Sequence, residues 1–333
     1  MNNEVDNLRL NQILHDLGDF VYYPNFGNLG DLLIAEGTRQ FFQREGLTYR
    51  EYDEKNLPAQ YNLVYAGGAR FTSCWCDTEK CLRELTDPRI QCCVILPHSF
   101  YDVDALLDGL DSRHHLFCRD ERSYRYCLSR QTACSVYLAE DMAFQLDMEK
   151  TDAAKLPREL SNEELRTRTQ IKRGLFAKLR RGVRRATILS PVGEKDKKIA
   201  FLLREDAEKS SPNSTFMSYD ISAAWHTSGR QMAYNGEILR QFSAALKQVD
   251  IIVSDRLHVC IMAYLSGLEV YMLDNSYGKL SGVYRLSMTG APKVHLLPDA
   301  ELTPELKAAW KRLNAPWRVS IRWFKKKLSS LFH

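Results

Sequence analysis

The chain has 333 residues, 44% hydrophobic and 26% charged, with a net charge of +4. That composition excludes a disordered or collagen-like chain, and the length exceeds one typical domain, so two domains sharing a cleft are expected. The small net charge points to no partner by itself; the basic residues are instead gathered in two places.

Met1 to Phe20 is polar and more acidic than basic, without the positive-then-apolar order of a secretory signal. No run approaches the roughly 18 apolar residues that span a bilayer. The expectation is a cytoplasmic protein whose membrane contact is peripheral, at the inner face.

Over residues 1–150 short apolar runs alternate with helical patterns, as in a mainly parallel sheet flanked by helices. Strands are expected over 20–23, 63–66, 92–96 and 116–118, and helices over 32–44 and 121–130. Leu33, Phe41 and Phe42 are available to the core. Residues 151–197 read as a basic linker or insertion, because the run 171–187 carries seven basic residues and no acidic one. Alternation resumes over 198–300, with a strand over 199–203 ending in Arg204, a helix over 236–248, a strand over 251–254, a helix from Leu257 and a strand over 270–273. Residues 301–333 form a helical, basic tail with Trp310, Trp317 and Trp323. The fold class is therefore α/β, two Rossmann-like domains with a cleft between them.

Nine cysteines, an odd number scattered through apparent core strands, read as reduced thiols. Cys74, Cys76 and Cys81 are closer together, but CxC followed by CxxxxC lacks the second short pair of a structural zinc site. No metal is assigned.

Four groups of residues carry chemistry. Asn25-Phe-Gly-Asn-Leu-Gly-Asp31 lies between a strand and a helix, where the glycines, Gly30 among them, let the backbone approach a ligand closely and the helix start favours an anion. Asp31 is equally suited to cap that helix or to act as a base. Gly67-Gly68 follows a strand, at the edge where open α/β sheets bind ligands. Pro97-His98-Ser99 occupies the equivalent edge of the next strand, and His98 reads more readily as structural than as catalytic.

Asp255-Arg256-Leu257-His258 follows the apolar strand over 251–254. Arg256 offers a planar fork suited to carboxylate or phosphate, and His258 can exchange a proton near neutral pH. Arg204 ends its own strand nearby. Lys279, after the strand over 270–273 and Asp274, is a possible phosphate contact.

Together these groups resemble the polysaccharide pyruvyltransferase family. The stretches that carry the resemblance are NFGNLGD at 25–31, AGGAR at 66–70, ILPHSF at 95–100, CRDERSY at 118–124, EDMAF at 140–144, FLLRED at 201–206, SDRLHVCIMAYLSG at 254–267 and LDNSYGKLSG at 273–282. Where members often carry three glycines, this chain has Gly67-Gly68-Ala69. The resemblance implies a GT-B-like pair of domains, with the acceptor on residues 1–150 and the donor on 198–300. It implies phosphoenolpyruvate as co-substrate, with no further cofactor, and a cyclic pyruvate ketal built on a sugar of a surface polysaccharide or its lipid-linked precursor. Arg204 and Arg256, with Leu257 and Lys279, would hold the donor, and His258 would be the general acid. Asp31 is the second catalytic candidate, and Asn28, Gly30, Gly67, Gly68, His98 and Ser99 would line the acceptor side.

Ile171, Leu175, Leu179 and Val183 recur every fourth residue through the basic run, and Trp317, Ile321, Trp323, Phe324, Leu328 and Phe332 accompany basic residues in the tail. Both are expected to meet an anionic membrane surface. The competing functions are a GT-B-type nucleotide-sugar glycosyltransferase and a nucleic-acid-binding protein. The second leaves Arg204, Arg256 and His258 unexplained, so no nucleic-acid partner is expected.

Overall fold

The computed structural model describes residues 6–130, 132–151, 174–206, 218–225, 235–274, 278–297 and 301–315. The chain forms two compact units. The first comprises Met1–Arg158, His226–Leu239 and Ser281–Gly290, and the second Glu159–Trp225, Arg240–Leu280 and Ala291–His333.

In the first unit the described elements up to residue 151 are, in chain order, α1 (Asn7–Asp16), β1 (Phe20–Tyr23), α2 (Leu29–Arg44), β2 (Tyr49–Glu51), β3 (Tyr61–Tyr65), α3 (Thr78–Leu85), β4 (Ile90–His98), α4 (Asp104–Asp108), β5 (His114–Cys118), α5 (Glu121–Ser129), β6 (Ser135–Leu138) and α6 (Met148–Thr151). The six strands form a sheet in the order β2-β1-β3-β4-β5-β6, every neighbouring pair parallel. Parallel strands are covered on both faces, so the inner strands β1, β3 and β4 are mostly apolar and buried, whereas the edge strand β2 is half-buried or exposed. One face carries Val21, Leu63, Ile95 and Leu116 in a core shared with Leu85, Leu106 and Cys127 from the helices. On the other face Phe42 of α2 meets Phe20 and Tyr22 edge-on, at 5.1 and 5.2 Å. The strand order reverses direction between β1 and β3, so the loops after those two strands flank the switch point where such sheets bind ligands.

Beyond residue 173 the elements are α7 (Phe176–Arg185), β7 (Thr187–Val192), β8 (Lys195–Phe201), α8 (Asn235–Leu246), β9 (Ile251–Ser254), α9 (Leu257–Leu265), β10 (Glu269–Leu273), α10 (Lys279–Val283), β11 (Val294–Leu297) and α11 (Pro304–Leu313); α8 up to Leu239 and α10 from Ser281 count with the first unit, and the rest form the second. Its sheet runs β11-β10-β9-β8-β7, with only the β7–β8 hairpin antiparallel. Ile199, Phe201, Ile251, Val253 and Leu273 pack with Leu306, Ala309 and Leu313 of α11.

The structure refines several expectations. The segment over 151–197, expected as a linker or insertion, supplies α7, β7 and the start of β8 to the second unit where it is described beyond residue 173. The reason is the four-residue spacing itself: Leu175, Leu179 and Val183 are 5%, 0% and 1% exposed, so the apolar face of α7 is spent in the core and only its basic face looks outward. Ile171 lies outside the described residues. Trp310 stacks obliquely on Phe201 at 4.8 Å, which makes it part of the folded unit; Trp317 and the tail beyond it lie outside the described residues. The helix expected from residue 32 begins at Leu29, and the strand before Arg204 ends at Phe201.

Candidate active site

At the switch point of the first unit, Asn28 caps α2. Its side-chain oxygen accepts from Gly30 N at 2.7 Å while Asp31 Oδ2 accepts from Asn28 N at 2.9 Å, a reciprocal capping box. Asp31 is thus the third helical residue rather than the cap. A Cβ at Gly27 would run into the Asp31 carboxylate, so that glycine makes room for the fold-back.

Asn25 donates from Nδ2 to Gly67 O across to the loop after β3. Both glycines there are explained by backbone crowding. A Cβ on Gly67 would sit 2.5 Å from Pro97 O, and one on Gly68, at φ +142, 2.7 Å from Asn25 Nδ2. Gly68 also bridges to the end of β4, donating to Pro97 O at 3.2 Å and accepting from Ser99 N at 2.8 Å.

His98 is fully buried. Its Nε2 accepts from Phe71 N at 3.2 Å, which leaves Nδ1 to donate to Ala66 O at 3.2 Å. Burial, reinforced by the Arg119 charge, holds its pKa well below the usual histidine value and keeps the ring neutral. His98 therefore braces two strand-end loops. Ser99 is likewise committed inward, donating to Asp120 Oδ2 and accepting from Arg119 Nε, both at 2.9 Å. Arg119 in turn pairs with Asp141 at 2.7 Å, with both side chains wholly buried. Burial thus directs the His98 and Ser99 side chains, expected on the acceptor side, into the core; of the first-unit candidates, Asn28 and Asp31 are half-buried.

In the second unit the ends of β8 and β9 bring the two expected arginines into one network. Arg204 Nε and Nη2 meet the two oxygens of Asp206 at 2.7 and 3.2 Å. Arg256 Nη2 reaches the same Asp206 carboxylate at 2.7 Å, and Arg256 grips Asp220 through Nε and Nη2. Asp255 accepts from the backbone N–H of Arg204 at 2.8 Å. Burial raises the Asp255 pKa, opposed by that hydrogen bond and by the charges of Arg204 and Arg256.

His258 lies two residues beyond Arg256, in the first turn of α9. That helix is apolar all round and buried at Leu257, Val259, Cys260, Ile261, Met262 and Ala263, whereas His258 is half-buried. Leu257 is only 2% exposed, so any part it plays in binding runs through its backbone N–H. Lys279 opens α10 after the neighbouring strand β10 and is 8% exposed, while Asp274 accepts from Leu280 N at 3.1 Å. The arrangement can hold a multiply charged anion on guanidinium forks beside a proton-exchanging imidazole. Of the carboxylates that set the arginines, Asp255 stands in the cluster singled out from sequence, whereas Asp206 and Asp220 are given no role there. Asp206 stands in the FLLRED stretch two residues from Arg204; nothing in the sequence marks Asp220.

Among the described residues no group of three or more His, Cys, Asp or Glu side chains is placed to hold a metal, and Cys76 and Cys81 are free thiols with sulfurs 4.0 Å apart.

Comparison with known proteins gives the same direction. The sequence model of the family described as "Polysaccharide pyruvyl transferase" matches residues 28–277, which include every second-unit candidate except Lys279. EpsO of Bacillus subtilis (strain 168), provisionally named a pyruvyl transferase, is 27% identical over 308 residues, covering 86% of this chain and 90% of EpsO. The crystal structure of an uncharacterized protein from Klebsiella pneumoniae subsp. pneumoniae NTUH-K2044 matches with a TM-score of 0.65 at 24% identity, over 89% of this chain and 99% of that one. That last likeness is one of fold.

Proposed function

The chain belongs to the polysaccharide pyruvyl transferase family, and from that premise we propose that it transfers the pyruvyl group of phosphoenolpyruvate to a sugar of a surface polysaccharide or of its lipid-linked precursor, closing a cyclic ketal. The observation that carries this reading is the Arg204–Asp206–Arg256–Asp220 network at the ends of two parallel strands. Two guanidinium forks match the phosphate and carboxylate of the donor, which would displace the carboxylates that hold them in this state.

The chemistry asks for few other groups. A proton delivered by His258 to the donor's methylene carbon makes a methyl group and leaves the adjacent carbon electron-poor. A sugar hydroxyl adds to that carbon and gives up its proton, Asp31 being the candidate acceptor. The bond from carbon to the phosphate oxygen breaks, inorganic phosphate departs on the arginines, and a second hydroxyl closes the ring. Of the two hydroxyl protons, one replaces the proton spent on the methylene and the other leaves with phosphate.

This reading also carries the GT-B-like arrangement implied by the resemblance, a donor on the second unit, and peripheral attachment at an inner membrane surface. The outward basic face of α7 supports that attachment as an electrostatic one, since no helix among the described residues is long and apolar enough to cross a membrane. The test is to offer the protein phosphoenolpyruvate or a panel of nucleotide sugars with a glycan acceptor, and to follow phosphate or nucleotide release. Phosphate release with a ketal on the product is the expected result. Release of nucleotide instead would overturn the reading in favour of glycosyl transfer.

A further inference from the structure

The outer face of α7 is more than a charged surface. A cavity of about 450 Å³ lies along it, lined by Lys178, Arg181, Gly182, Arg185 and Tyr219 among others. Residues 178, 181, 182 and 185 are spaced i, i+3, i+4 and i+7, so three cations and one glycine share a single helical face. The glycine has a local cause: a Cβ at Gly182 would fall inside the Tyr219 ring, so its absence lets that ring lie flat against the helix.

Three details make this face a site for an anion. Arg181 has neither an ion-pair nor a hydrogen-bond partner among the described residues. Lys178 is held in place by donating to Ala224 O at 2.9 Å, which engages one of its three protons. The Tyr219 hydroxyl is buried and has no hydrogen-bond partner among the described residues; burial raises its pKa and the Arg185 charge opposes that rise. A buried hydroxyl without an acceptor is uncommon, and an oxygen-rich ligand would supply one. Among the described residues the acidic groups near Tyr219 are Glu205 and Asp220, and Asp220 is already gripped by Arg256. Among the described residues the charged groups that line the cavity are all cations: Lys178, Arg181 and Arg185.

We propose that this cavity is a binding site for a phosphate group, held by Lys178, Arg181 and Arg185 with Tyr219 as a neutral donor. Its volume is that of a small-molecule site, so the phosphate would arrive as part of a larger molecule, either a phospholipid headgroup or a soluble phosphate compound. The site is distinct from the arginine network and does not depend on pyruvyl transfer, because its readout is binding.

The experiment uses the full chain with inorganic phosphate and pyrophosphate in calorimetry, and with phosphatidylglycerol-containing against pure phosphatidylcholine vesicles in flotation. Two double variants remove equal charge from the same helix: Arg181→Gln with Arg185→Gln, both lining the cavity, and Arg180→Gln with Arg184→Gln, neither lining it. All four side chains are exposed, so both variants are expected to fold. Loss of the charge-assisted contacts should weaken binding about tenfold or more in the first variant and less than about twofold in the second. Selective loss of phosphate or pyrophosphate binding identifies a soluble ligand, and selective loss of vesicle binding a headgroup; either supports the site. Equal loss in both variants, loss in neither, or no binding to any probe by the parent overturns it.

Discussion

Asp220 and Arg256 face each other as two forks, with Arg256 Nε 3.0 Å from one carboxylate oxygen and Nη2 donating to the other. The two side chains are 6% and 11% exposed, so Asp220 is paired in a poorly solvated place with an arginine that also meets Asp206. A donor anion bound there as proposed would have to compete with Asp220 for Arg256.

Arg256→Ala should abolish the stabilisation that phosphoenolpyruvate gives in a thermal-shift titration. The unliganded variant should also lose about 1–3 kcal/mol in urea melts, because a nearly buried carboxylate is left without its fork. A variant that still responds fully to the donor would remove Arg256 from the site.

His258→Ala and His258→Gln should each lower turnover by roughly 10²–10⁴-fold while leaving donor binding intact, since glutamine can hydrogen-bond but not deliver a proton. Product formed in heavy water should carry deuterium in its methyl group. Near-normal turnover by the glutamine variant would reassign His258 to holding phosphate.

For Asp31, two substitutions separate its two roles. Asp31→Ala breaks the capping box and should cost about 0.5–2 kcal/mol. Asp31→Asn keeps an acceptor for Asn28 N–H and should hold stability within about 0.5 kcal/mol, yet turn over slowly because it cannot take a proton. Equal activity in wild type and Asp31→Asn would leave Asp31 as a cap alone.

The buried His98 should make stability pH-dependent. Its folded pKa lies well below the ordinary 6.5, so the unfolded chain takes up a proton first as pH falls. Stability is then lost on acidification below about 6.5 by this group, at one proton's slope, until the folded pKa is reached. His98→Asn should be less stable at neutral pH but should lack that component; an unchanged pH profile in the variant would show that His98 is not its source.

Removing residues 316–333 should reduce recovery on anionic vesicles more than it affects phosphoenolpyruvate binding. The cut spares Leu306, Ala309 and Leu313, which tie α11 into the core of the second unit. Equal recovery of the truncated and full chains would contradict the membrane role of the tail.

Sequence reading reached the strands well, because parallel strands buried on both faces leave unbroken apolar runs such as residues 251–254. It also singled out Arg204 and Arg256 by their place after such runs, and the structure joins the two through Asp206. It missed Asp220, which reaches Arg256 across 36 positions of chain and stands in no recognisable run. It took the spacing of Leu175, Leu179 and Val183 for a surface-seeking face, because periodicity reports that a helix has an apolar side without naming what covers it. In His98 both imidazole nitrogens are satisfied by backbone atoms that only the folded loops bring together.

Residues 281–290 count with the first unit: Leu286 packs on its core, and Gly282 lies so near Asp120 that a Cβ would come within 2.7 Å of it. During synthesis the amino-terminal half must therefore wait, with part of its surface uncovered, until most of the second unit has left the ribosome. A nascent chain stalled just after residue 158 should be more open to protease there than the released protein, and a gene cut at that junction should yield a half that needs the other fragment in the same cell to reach its native protection.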